Sequence, residues 1–490
     1  RAITAAPALL HWKPPLGTLV RSTAPIFEPY RTWSRMSGRE RVRWRSHIFN
    51  PVRPSGARTV TAAESIGTDR VNFHGETNRM ADEFKPSSDR RSDRSSSTSR
   101  FPIREVTVRE VTFEHSSQFV PLLQHLGCSL LVSTYAAGKV VSVGVQNGEL
   151  KLGFSNFQQA MGVAVGPEGL AVGGPNLVWL LRDAQSLADQ IDPPGSYDRG
   201  FLTRESFVTG NIHVHELAWS HAGELWLVNT LFSCLCTLHE DYNFVPRWQP
   251  PFITSLAPQD RCHLNGLAMA QGVPKYVTAL GTSDEPRGWR DSKVNGGIVI
   301  DVESGRTVAD GFCMPHSPRI HQGRLLLLDS GRGRLVKVDP DDGTVELLAE
   351  YPGYGRGLGI CGPIAFVGMS KARETSVFGG VPICQDRGAM RCGIVAVDLI
   401  SGRSLAYLEF KTGVEELFDV QVVAGTRNPV VCGPFPVQDQ QTPVWVVPPP
   451  EAARGIPKQS KIGTVSRRQA SNSSLNWPSV PGRTDPPFRS

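Results

Sequence analysis

Imidazoles lead three short stretches of this 490-residue chain: HVHELAWS from position 213, HLNGLAMA from 263 and, two residues into its run, MPHSPRIH from 314. Three further stretches can be laid over them, QAMGVAVG from 159, YGRGLGIC from 354 and ELFDVQVV from 416. Each begins with polar or special residues and runs into small and apolar ones. Aligned on their apolar ends, they place Met161, His215, Asn265, His316, Arg356 and Phe418 at one position. Two residues earlier, on the same face of a strand, stand Gln159, His213, His263, Met314, Tyr354 and Glu416. Four of the twelve histidines therefore fall on two adjacent positions.

Neutral imidazoles gathered in one place are good ligands for zinc or iron. A three-histidine site with an open position would polarise a carbonyl or lower the pKa of bound water. The expected ligands are His213, His263 and either His316 or His215; the alignment does not say which three. For any one of these residues alone, a structural hydrogen bond is the simpler reading. Arg356 could hold a carboxylate or a developing oxyanion through its planar fork, or it could pair with Glu415, Glu416 or Asp419. Glu216 could serve as a general base, or fix the tautomer of the neighbouring His215. Tyr354 and Tyr135 could donate protons or simply pack, and Asn265 sits among the same residues. The polar, glycine-rich stretch SDEPRGWRDSKVNGG (283–297) carries Trp289 and Arg290 and is expected to cover the site as a lid for an anionic ligand, or to be an ordinary solvated connection.

Something must bring six stretches, spread over 260 residues, to one place. Each lies in a β-rich segment punctuated by Gly, Asp and Pro turns, and no helix-period segment of convincing length intervenes. Second apolar strands follow most of them, as in GELWLVNT, PKYVTALG, GRLLLLDS and PIAFVGMS, and several third strands end in a turn such as VIDVESGRT, KVDPDDGTV or VAVDLISGRS. Repeats of this kind, roughly 40 to 55 residues apart, spell an all-β fold: a single closed β-propeller, expected to have six blades, over 106–434. The last segment, 420–434, supplies only the start of a blade and the first strands, 128–154, the remainder, so strands from both ends would close the ring and hide its edges.

Residues 1–105 and 435–490 are Ser-, Arg- and Pro-rich without apolar periodicity and are expected to be disordered tails. Part of the first is expected to be a start-site artefact, with Met36 or Met80 as the true start. Residues 1–100 carry 18 Lys and Arg against 9 Asp and Glu, and residues 451–490 carry 7 against 2, so the middle of the chain is near −8 although the whole is +6. A basic nucleic-acid face on the folded part is thereby disfavoured. Nine scattered cysteines do not form the framework of a small secreted scaffold, which points to reduced thiols and a cytoplasmic setting, with Cys234 and Cys236 structural. No apolar run is long enough for a membrane helix. No G-x-S-x-G elbow, H-E-x-x-H helix or phosphate-binding loop is present.

The combination STYAAGK, HELAW, HLNGLAM, GWRDSKVNGG, FGGVPI and VEELFDVQV resembles a bacterial family of conserved hypothetical proteins with an uncharacterised propeller-like domain, over about residues 110–434. That resemblance implies the fold and no activity. More distantly, the histidines are similar to those of the peptidyl-amidoglycolate lyases, six-bladed propellers with a three-histidine zinc site. This likeness implies metal at His213, His263 and His316, with Arg356 and Tyr354 near the substrate. Those lyases are typically secreted and disulfide-bonded. Gluconolactonase-like propellers are similar in architecture, but hold calcium among Glu, Asn and Asp, for which only Glu216 and Asn265 would fit here. The expected function is a metal-dependent lyase or hydrolase acting on a small carboxylate-bearing or peptide-derived molecule. The alternative is a non-catalytic scaffold that binds a protein or peptide across the propeller face.

Overall fold

A computed structural model describes residues 110–448, except Glu168 and 372–378. The tails expected to be disordered, and Met36 and Met80, lie almost wholly outside the described residues.

Six antiparallel sheets are built from the repeats. Their innermost strands are Val163–Gly166, Val214–Trp219, Leu264–Ala270, Pro315–His321, Tyr354–Cys361 and Asp419–Ala424, here numbered blades one to six. All six aligned stretches thus became inner strands. Each packs against the next in chain order and the sixth against the first, which makes the arrangement a six-bladed propeller. Blade six is composite: Asp419–Ala424 pairs with Cys128–Thr134, bringing the two ends of the domain into one sheet. Two further strands knit the ends. Phe113–His115 adds to the outer strand of blade five, and Pro429–Cys432 runs parallel to the outer strand of blade one.

The strands form where the sequence alternates around turns that only certain residues satisfy. In blade three, Asp301 accepts the Ser304 amide at 2.8 Å and the Ser304 hydroxyl at 2.9 Å, while Gly305 takes the left-handed φ of 70° that ends the turn. Asp398 does the same work in blade five. Facing sheets bury branched residues such as Leu131, Val172, Leu327 and Val367, each contributing about 1.5–3 kcal/mol. Hydroxyls stitch blade to blade. Ser133, Thr230 and Ser370, all near the end of a second strand, donate to the carbonyls of Met161, Leu264 and Leu417 in the following blade.

The helix nearest the start of the described residues departs from the all-β expectation for a plain cause. Phe119–Leu126 is a helix, with Phe119, Val120 and Leu123 buried and Gly127 capping it at φ 59°. At two turns it is too short for its period to stand out from the strands around it. The propeller's contacts also run past residue 434. Asp439 accepts the Asn156 amide at 2.7 Å, Phe435 meets Trp179 edge-on, and Thr442 bonds Asp192. Residues 435–444 therefore lie against blades six and one.

Candidate functional site

The inner strands are not regular at their entry. Gln159, His213, His263 and Met314, the residues preceding four successive strands, all have positive φ, between 44° and 54°. Non-glycine residues rarely accept this conformation, so its recurrence at one aligned position marks a shared device. Just beyond, blades two to five each carry an extra residue on the inner strand relative to its partner, at 214–217, 264–266, 316–319 and 355–358. Such bulges re-aim side chains. They do so beside His215, Asn265, His316 and Arg356.

These bends bring the imidazoles together. The His215 ring lies 4.8 Å from that of His263 and 6.5 Å from that of His316. Their protons can be placed by bookkeeping. The Thr230 hydroxyl gives its one hydrogen to the Leu264 carbonyl at 2.6 Å, so at 2.8 Å from His215 Nδ1 it accepts. His215 Nε2 is then bare, and it accepts from Arg356 at 3.1 Å. His316 Nδ1 sits 2.9 Å from the Met314 carbonyl, which can only accept, so this ring too is protonated on Nδ1. Its Nε2 is buried with no hydrogen-bond partner. His263 Nδ1 faces Asp260 Oδ1 at 2.8 Å. Burial first, and then the Arg356 cation and the neighbouring rings, hold His215 and His316 well below the ordinary imidazole pKa, so both stay neutral. Burial also lowers His213, against the pull of Asp260.

Arg356 is held three ways: by His215, by Glu416 at 3.6 Å, and over the face of Phe418 at 4.0 Å. Its Nε is buried without a partner. Asn265, 2% exposed, accepts from the Thr278 hydroxyl at 2.6 Å and leaves its Nδ2 unpartnered. Tyr354 packs edge-on to His316 at 5.7 Å, and burial pushes its phenol well above the ordinary value, so it keeps its proton. Tyr135 lies 5.9 Å from Phe418 and accepts from Gln159. Tyr354, Arg356 and three of the histidines therefore meet at one end of the channel, and Asn265 holds the aligned position on the strand between those of His215 and His316.

Three readings of the sequence are corrected. Glu216 does not touch His215's proton; it bonds Arg319 and the Leu267 amide, and Thr230 sets the tautomer instead. The bulge at 214–217 turned Glu216 away. Trp289 is 2% exposed, stacked 4.5 Å from His263 with its Nε1 donating to Asp260 Oδ2 at 3.2 Å. It is a seated core residue, with almost no surface to offer a partner. Arg290 lies 5.6 Å over the Trp289 ring, and its Nε is buried without a partner. Finally, His215 does not fit a metal ion, because its free lone pair already meets a guanidinium, a cation standing where a metal would. Among the described residues, no group of three or more His, Cys, Asp or Glu side chains stands in metal-holding positions.

Sequence reasoning missed Asp260, Thr230 and Ser330, which orient the rings from neighbouring turns, and Arg319. Asp260 was visible three residues before His263. Arg319 lies inside an aligned stretch, hidden by the bulge after His316. All nine cysteines are unpaired, and Cys234 and Cys236 are both buried on one face of their strand. No helix among the described residues is long and apolar enough to cross a membrane.

Comparison with curated proteins finds no match. Among solved structures, similar chains occur in a nidogen/laminin complex (14% identity, 61% of this chain and 99% of that one, TM-score 0.38) and in a protein of unknown function from Bacteroides caccae (8%, 60% and 98%, 0.40). Virginiamycin B lyase from Staphylococcus aureus is a third (11%, 57% and 75%, 0.31). Likenesses this distant carry no argument about activity. A family model matches residues 117–432, a span that takes in all six inner strands and every mouth residue named above, and the chain therefore belongs to the family described as a domain of unknown function, DUF4915.

Proposed function

We propose that the channel mouth takes a small carboxylate-bearing molecule, peptide-derived acids included, and acts on it as a lyase or hydrolase with His316 as the proton acceptor. One observation carries this reading: His316, 4% exposed, holds an unpartnered Nε2 lone pair in the same ring as the unpartnered donors Asn265 Nδ2 and Arg356 Nε. Buried polar atoms without partners are costly, and a site that binds a polar ligand is where such a cost persists. A carboxylate would bond Arg356 at Nε, as a second anion beside Glu416. A hydroxyl or amide N–H on the ligand, or a water beside it, would give its proton to His316. Tyr354, still protonated at neutral pH, would return a proton to a leaving group.

Calorimetric titration with acetate, glycolate and N-acetylglycine tests it. The two probes that add a donor should bind more tightly than acetate, and Arg356→Gln should weaken both by roughly tenfold or more, the worth of a charge-assisted hydrogen bond. Binding untouched by Arg356→Gln, or none, removes the proposal. The same lone pair on His316 would also suit zinc or iron. Stoichiometric metal in purified protein, lost in His263→Ala and His316→Ala, would make the chemistry metal-dependent.

A protein partner is supported by a different place, the exposed apolar residues Val437, Trp445 and Val447 on the segment after the last strand. Binding of a partner abolished by Trp445→Ser and indifferent to Arg356→Gln would favour the scaffold reading.

A further inference from the structure

One step below the histidines, three charged side chains from alternate blades meet. Glu216 belongs to blade two, Arg319 to blade four and Asp419 to blade six. Arg319 bonds Glu216 and lies 3.8 Å from Asp419. Strands placed alternately around a ring of six reach one another only across its axis, so these side chains fill the channel. Glu216 and Asp419 are 4% and 3% exposed.

Each of the three also grips the backbone of the blade that follows. Glu216 accepts the Leu267 amide at 3.0 Å, Arg319 donates from Nε to the Leu358 carbonyl at 2.9 Å, and Asp419 accepts the Val163 amide at 2.9 Å. Val163, Leu267 and Leu358 are equivalent residues, each two beyond a mouth residue: Met161, Asn265 and Arg356. The pattern has threefold regularity in a sixfold ring, and the glycines share it. Gly162, Gly266 and Gly357, on blades one, three and five, stand where a Cβ would strike Glu216, Pro318 and Asp419 or Val420 of the next blade, within 2.3–2.8 Å at the nearest atom. Side chains on the even blades come in because the odd blades have none at that level.

We infer that Arg319 is the keystone of this ring: by joining two carboxylates that each hold a further blade, it fixes the inner strands against one another and thereby sets the positions of His215, His316 and Arg356. It is a positioning residue. Every mouth residue on the equivalent position lies within three residues of one of these contacts.

The inference holds whether or not the mouth turns over a substrate, and its test uses no ligand. Full-length protein labelled with 15N-histidine is compared with Arg319→Met and Arg319→Lys for melting temperature and for the Nδ1–H, neutral signature of His215 and His316. Arg319→Met leaves two buried carboxylates uncompensated, and should lower the melting temperature by roughly 10 °C and abolish that signature. Arg319→Lys keeps the charge without the fork. It should regain part of the melting temperature and leave the histidine signature disturbed, since an ammonium does not reproduce the directed bonds of the fork. Should Arg319→Met fail to fold, the lysine variant decides alone. A native signature in either variant overturns the inference, because a charge that merely stabilises the fold would not move the imidazole tautomers.

Discussion

The mouth and the triad beneath it are adjacent levels of the same six strands, yet they treat polar atoms in opposite ways. In the triad each charged group has a partner: Glu216 and Asp419 hold backbone amides, Arg319 holds a carbonyl and a carboxylate, and Gln421 adds a further donor to Asp419. In the mouth, His316 Nε2, Asn265 Nδ2 and Arg356 Nε are buried with none. Burial is similar at both levels, so desolvation does not explain the contrast. What differs is completeness. A network whose members are satisfied stiffens a core, whereas one left incomplete is a site waiting for a ligand's groups.

The largest effect should come from the close approaches at the lower level. Gly357 has φ 81°, and a Cβ there would lie 2.3 Å from the Val420 nitrogen. Gly357→Ala should cost about 3–5 kcal/mol, from left-handed strain and overpacking together, read as a fall in the urea midpoint. A loss under ~1 kcal/mol would mean that the strands part easily and the level is not rigid.

Next, the two levels should pull the pH dependence of stability in opposite directions. Burial, only partly offset by Arg319, raises Glu216 from its ordinary 4.5 to about 7. Between those values the folded protein keeps a proton that the unfolded chain releases, so stability falls as pH rises through this window, by on the order of 3 kcal/mol. His215 and His316 are lowered, so below their ordinary 6.5 the unfolded chain takes protons that the folded one refuses, and stability falls as pH drops. Urea unfolding across pH 4.5–8 should show an alkaline-side loss that disappears in Glu216→Gln. If instead that variant steepens the loss, the charge balance of the triad has been misassigned.

How legible these levels were differs for a physical reason. Composition and turns suffice for the blades, because a D-x-x-S-G turn such as Asp301–Gly305 depends on local chemistry. The six inner strands could be aligned because the entry residues repeat. Which side chain points where could not be read, since period-two alternation assumes an unbroken ladder and the bulges at 214–217 and 316–319 break it where it mattered. Glu216 therefore looked like a partner for His215, and Arg319 like part of an apolar run. Asp260 and Thr230 act from turns, where no periodicity marks them. Trp289 drew notice by its type, but its burial depends on a tertiary contact with His263.

At the upper level the same comparison predicts small stability effects and large binding ones. His316→Phe removes an Nε2 that makes no hydrogen bond together with the Nδ1–H that holds the Met314 carbonyl, so the change in stability should stay within about 1–3 kcal/mol, below that of Gly357→Ala. Binding of glycolate in the calorimetric titration should be lost. A drop as large as that of the glycine variant would show that the mouth is part of the rigid level after all.

The subtlest break is Asp260→Asn. The carboxylate uses one oxygen for His263 Nδ1 and the other for Trp289 Nε1. An amide keeps one acceptor, which can remain with the tryptophan, but presents an N–H to the imidazole. His263 must then accept at Nδ1 and carry its proton on Nε2, towards the neighbouring rings, at almost no change in volume. Stability should shift by less than ~1 kcal/mol, while the 15N spectrum of His263 should show its Nδ1 no longer carrying a proton. An unchanged tautomer would mean that the ring is held by its stacking on Trp289 and that Asp260 serves only the tryptophan.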